Sequence, residues 1–135
     1  MRVFVDTAPF IYLIENHPKY ADRVADIMAT SLAEGHTFIT SVITILEFGV
    51  KPEKENKHEV ITRFEDLLNE LETEVKEIDR GIAVEAYQLR AKYQFLKGLD
   101  TIQLATAITS SCDSFVTNDT KLEKVKEITV TLIDT

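Results

Sequence analysis

Hydrophobic and polar positions follow two rhythms along this chain, and each change of rhythm marks an element. Short apolar runs rich in β-branched and aromatic residues predict strands at Arg2–Val5 (RVFV), Thr37–Thr40 (TFIT), Asp113–Thr117 (DSFVT) and Ile128–Ile133 (ITVTLI), with a more charged candidate at Glu74–Ile78. Between them apolar residues recur at threes and fours. Phe10, Ile11, Leu13 and Ile14 predict a helix broken by His17-Pro18, and Val24, Ile27, Met28 and Leu32 predict a second, ended by Gly35. A third helix starts at Ser41 and is closed by Gly49 and Pro52. A fourth spans Lys54–Leu71, a fifth Asp79–Leu96, a sixth is opened by Asp100, and a short one covers Lys121–Lys126. Strands alternating with helices from end to end predict an α/β fold, a three-layer α/β/α sandwich whose central, mostly parallel sheet has about four to five strands. Phe4, Ile39, Phe115 and Leu132 are expected to be buried in it.

Composition narrows the class. A chain of 135 residues suits one domain spanning 1–135, and 44% hydrophobic with 28% charged residues excludes disorder. No apolar stretch approaches the ~20 residues of a membrane span, and no basic leader precedes the first strand, so a cytoplasmic protein away from the membrane is expected. Cys112 has no cysteine to pair with and no activating base beside it, and reads as a packing residue in a reducing compartment. The net charge of −8 would count against a nucleic-acid partner. Its distribution changes that. Seven acids and one lysine between Glu65 and Asp79 carry −6 of it as a solvated face, which leaves −2 for the rest of the chain.

Four acids outside that segment carry the candidate chemistry. Asp6 follows the first strand, Glu47 sits in the apolar run Val42, Ile43, Ile45, Leu46 and Phe48, Asp100 stands at a helix start, and Asp119 follows the fourth strand. Each has a local explanation. Asp6 and Asp119 suit caps, Asp100 with Gln103 suits a capping-box-like pair, and Glu47 suits an exposed polar stripe with Thr44 and Lys51. Together they fall wherever this architecture delivers a side chain to the carboxyl edge of the sheet, where ligands bind. Four facing carboxylates cannot all stay ionised without a counter-charge, and all-oxygen ligands select a hard ion, Mg2+ or Mn2+. His17, His36 and His58 lack the spacing of a zinc pair. The chemistry suited to such an edge is phosphodiester hydrolysis, with Asp119 or Glu47 orienting the water. An aspartyl phosphotransferase would want a second acid where Ala8 stands, and the acids are not in the order of a receiver domain.

The stretches VFVDTAPFIYLIE, TSVITILEFGV, GLDTIQLATA and FVTNDTKL resemble, in order and over essentially the whole chain, the four acidic motifs of the PIN-domain ribonucleases, and in particular the VapC-type toxins of toxin–antitoxin pairs. The resemblance implies a PIN-like fold and a metal-dependent endoribonuclease with Asp6, Glu47, Asp100 and Asp119 as catalytic and metal-binding acids. It implies support from Thr7, Thr117 and Asn118, RNA as substrate, a homodimer, and inhibition by a VapB-like antitoxin. Lys121 stands where some members carry a further acid. With Lys51, Lys54 and Lys97 it falls near the predicted edge, and Lys51, Lys97 and Lys121 are the candidate RNA contacts. Two readings compete: a PIN-like module that binds RNA or protein without cutting, and a housekeeping RNA-processing nuclease without an antitoxin.

Overall fold

The structure, a computed structural model, describes residues 1–134. Five strands, β1 (Arg2–Val5), β2 (Thr37–Ser41), β3 (Glu74–Lys76), β4 (Ser114–Thr117) and β5 (Thr129–Leu132), form one sheet in the order β3-β2-β1-β4-β5, every pairing parallel. The helices are α1 (Thr7–Ile14), α2 (Ala21–Ala33), α3 (Val42–Lys54), α4 (His58–Glu70), α5 (Arg80–Lys92) and α6 (Gly98–Thr109), with a 3-10 turn at Thr120–Lys124.

Strand periodicity divides the core in two. Alternate residues leave opposite faces of the sheet, so Val3, Val5, Phe38 and Val116 join the core under α1 to α4, while Phe4, Ile39 and Phe115 join the core under α5 and α6. Phe4 and Phe115, partners in register across β1 and β4, stack with centroids 5.1 Å apart. On the other side Phe64 receives Phe48 at 4.1 Å and the edge of Phe10 at 5.5 Å. The expected strand residues Phe4, Ile39, Phe115 and Leu132 are all buried.

Several boundaries differ from the sequence pattern. Helix α3 runs through Gly49 and Pro52 to Lys54 instead of closing at them. Pro52 lies in the final turn, where its missing N–H forfeits one helical bond and its ring is buried. The fourth helix therefore begins at His58, and α5 ends at Lys92, four residues before Leu96. Gly35 does end α2's turn, at φ +77°, where a side chain would be strained.

Topology places the site. The chain builds outward from β1 through β2 and β3, then returns to add β4 and β5 on the other flank. The order reverses between β1 and β4, where a parallel sheet opens its crevice at the carboxyl ends. Asp6 leaves β1 there, and Thr117 and Asp119 leave β4.

Candidate active site

Asp6 is held from three sides. It caps α1, with Oδ1 accepting from the Thr7 amide at 2.9 Å; Oδ2 accepts from the Thr117 hydroxyl at 2.9 Å, and Gln103 Nε2 lies 3.4 Å from Oδ1. Part of the residue reaches solvent, but the carboxyl itself is enclosed. Burial pushes its pKa up to about 6, against the Thr7 and Thr117 hydrogen bonds and with the help of the Asp100 and Glu47 charges.

The other acids gather around it. Glu47, half-buried on α3, accepts at Oε1 from the Thr7 hydroxyl at 2.6 Å. Asp100, in the first turn of α6, has its carboxyl pKa raised by burial and then by Asp119 and Glu47, against Lys121 and Lys97. Asp119 caps the 3-10 turn through the Lys121 amide at 3.1 Å, and its own N–H donates to Thr117 Oγ1 at 3.2 Å. Asp6, Glu47 and Asp100 line one concavity of about 370 Å3 with Thr7, Ala8 and Ile11. Asp119, the fourth acid, is not among its lining residues, and its charge is felt at Asp100.

Two local explanations fail. Lys97, not Asp100, is the N-cap of α6, and no side chain caps that helix, so Asp100 and Gln103 form no capping box. The same i, i+3 spacing instead turns both side chains toward one face, Asp100 to the concavity and Gln103 into the interior. Nor do Thr44, Glu47 and Lys51 form an exposed stripe, since Thr44 is fully buried. Helix α3 presents apolar residues outward instead, with Leu46 57% and Val50 46% exposed.

Asn118 ties the β4 turn to its neighbours. Its Nδ2 donates to the Tyr12 hydroxyl at 3.0 Å and its Oδ1 accepts from Asp134 N at 3.2 Å. Tyr12 belongs to a ring cluster with His17 and Tyr20, invisible in the sequence because it depends on how the α1–α2 connection folds back. Lys97 and Lys121 flank Asp100, whereas Lys51 is ion-paired with Glu15 at 3.3 Å. Sequence reasoning missed Gln103 and Thr44 as parts of the site. A polar residue inside the run Ile102-Gln103-Leu104-Ala105 was the available signal.

Among the described residues, no three or more histidine, cysteine, aspartate or glutamate side chains converge tightly enough to cage a metal ion. The donor set still fits magnesium, which keeps several waters and takes only one or two carboxylates together with substrate phosphate. Burial is the main reason the Asp6 and Asp100 carboxyls are raised and the charges of the neighbouring acids add to it; a hard cation would favour the ionised forms against both.

Comparison with known proteins gives a consistent fold. The model of the PIN domain family matches residues 3–128. None of the curated proteins compared matches significantly. Among solved structures the chain is similar to one from the VapBC2 complex of Rickettsia felis bound to a promoter DNA fragment (TM-score 0.81, 19% identity, 98% of each chain covered). It is also similar to one from DNA-bound VapBC of Salmonella typhimurium (0.79, 20%, 98% of each). Mycobacterium tuberculosis VapC20, described as a sarcin-ricin loop cleaving toxin, matches at 0.71 and 12% identity over 93% of this chain and 98% of its own.

Proposed function

The chain belongs to the PIN domain family, and from that membership we propose that it is a metal-dependent endoribonuclease, the VapC-like toxin of a toxin–antitoxin pair, acting in the cytoplasm. The observation that carries this reading is the convergence of Asp6, Glu47 and Asp100 on one concavity, with Asp119 acting on Asp100. Three carboxylates, one just after β1 and the others on α3 and α6, share that space.

Asp6 and Asp100 would hold Mg2+ or Mn2+. When bound, such an ion would stabilise charge on the scissile phosphate and the leaving oxygen. The protein's own part is positional. Thr117 and Thr7 fix the Asp6 carboxylate and the Thr7 hydroxyl fixes Glu47, leaving the second Glu47 oxygen to orient the attacking water. Lys97 and Lys121, whose charges reach Asp100, would meet RNA phosphates.

The partners follow the structural relatives, which include VapBC complexes. The uncovered apolar face of α3 gives this chain a surface that assembly would bury. The reading includes a homodimer, tested by light scattering, and a VapB-like antitoxin, tested by co-expression with the product of the adjacent gene. Among the described residues no helix is long and apolar enough to cross a membrane.

The deciding experiment is cleavage of structured and single-stranded RNA by the chain freed of any inhibitor, with Mg2+ or Mn2+ and with EDTA. Cleavage that needs the cation and disappears in folded Asp100→Asn is expected. A folded chain that cuts no RNA under these conditions is a binding module, and the nuclease reading fails.

A further inference from the structure

Gln103 is the least explained residue of α6. It is 1% exposed, between Ile102 and Leu104 on a helix whose other inward positions are Thr101, Ala105, Thr106 and Ala107. Burying a primary amide is costly unless its groups find partners. Here they do: Ser41 Oγ donates to Oε1, Nε2 donates to Thr44 Oγ1 at 2.7 Å, and Nε2 also reaches Asp6 Oδ1 at 3.4 Å. The Thr44 hydroxyl lies 2.8 Å from that of Thr40, which donates to the Val5 carbonyl at 2.8 Å. One amide thereby joins α6, the end of β2, α3 and the end of β1.

Spacing gives this junction its consequence. Asp100 is three residues before Gln103 on α6, and Glu47 three residues after Thr44 on α3. Side chains three apart on a helix lie on one face, so pinning Gln103 to Thr44 also sets how Asp100 and Glu47 stand to each other. The contact with Asp6 adds the third acid. Resting on the metal-dependent reading above, we propose that Gln103 is a positioning residue that holds Asp6 and Asp100, the acids that would take up the divalent cation, in place against Glu47.

The test uses the full chain with Gln103→Met, which keeps length and removes every hydrogen bond, and Thr44→Val, which keeps shape and removes the anchor on Nε2. Mn2+ affinity is measured by calorimetry, alongside circular dichroism and RNA cleavage across a Mn2+ series. Gln103→Met should weaken Mn2+ binding roughly 10- to 100-fold, the range for losing a hydrogen-bond partner of a metal ligand. Thr44→Val should weaken it less, and higher Mn2+ should restore cleavage with the KM for RNA unchanged. A folded Gln103→Met that binds Mn2+ within two-fold of wild type overturns the proposal. Should Gln103→Met not fold, unchanged Mn2+ affinity in Thr44→Val overturns it instead. Wild type taking up no Mn2+ would sink the metal reading and this inference with it, a result distinct from equal binding by wild type and variants.

Discussion

Replacing Asp6 by Asn should stabilise the metal-free protein at neutral pH, although it removes an active-site acid. The Asp6 carboxyl is pushed from 3.8 to about 6, chiefly by burial and further by Asp100 and Glu47. A group whose folded pKa is raised contributes stability that is complete below its unfolded value, near 3.8, and is lost as pH rises through about 6. Carrying the ionised form into the fold costs on the order of 3 kcal/mol at pH 7.5. Asn keeps one oxygen as acceptor for the Thr7 amide, turns an NH2 toward the Thr117 hydroxyl, whose oxygen can accept from it, and does not titrate. The variant should therefore exceed wild type by about 2–3 kcal/mol at pH 7.5, a gap shrinking below about 1 kcal/mol at pH 4. Urea unfolding in EDTA across that range measures it. Adding Mg2+ at pH 7.5 should raise the wild-type midpoint more than that of the variant. Parallel pH profiles, or a variant less stable at pH 7.5, would refute the reasoning.

Other expectations follow from single contacts. Phe4→Ala removes a fully buried ring stacked on Phe115 and should cost about 3–5 kcal/mol in urea unfolding. Thr117→Val, which takes the hydroxyl from both Asp6 and the Asp119 amide, should cost about 1–3 kcal/mol and slow cleavage, with Thr117→Ser restoring both. The Cys112 thiol, pushed up to about 11 by burial, should react far more slowly with a disulfide reagent at pH 7.5 in the folded chain than in urea. Lys97→Ala and Lys121→Ala should each weaken RNA binding and reduce its salt dependence by roughly 0.7 in log–log slope, with the fold unchanged.

Much of the fold was legible because strands of a sheet covered on both faces read as short apolar runs. Alternation within RVFV and SFVT even assigns Phe4 and Phe115 to one face and Val5 and Val116 to the other. The acids were legible for a related reason: Asp6 and Asp119 follow strands at the edge where a parallel sheet opens. What failed was anything needing long-range partners. An aspartate and glutamine three apart read as a capping-box-like pair, and only the hydroxyls of Ser41 and Thr44, some sixty residues away, show Gln103 turned inward instead. Lys51 reads as a free cation until Glu15 is brought to it. Pro52 reads as a helix end until its burial compensates for the lost bond.

The most direct measurement is where a cation goes. Crystals grown with Mn2+ and recorded near its absorption edge should show an anomalous peak within coordination distance of the Asp6 and Asp100 carboxylates, absent from Asp6→Asn crystals. A peak elsewhere, or none at saturating Mn2+, would contradict the account.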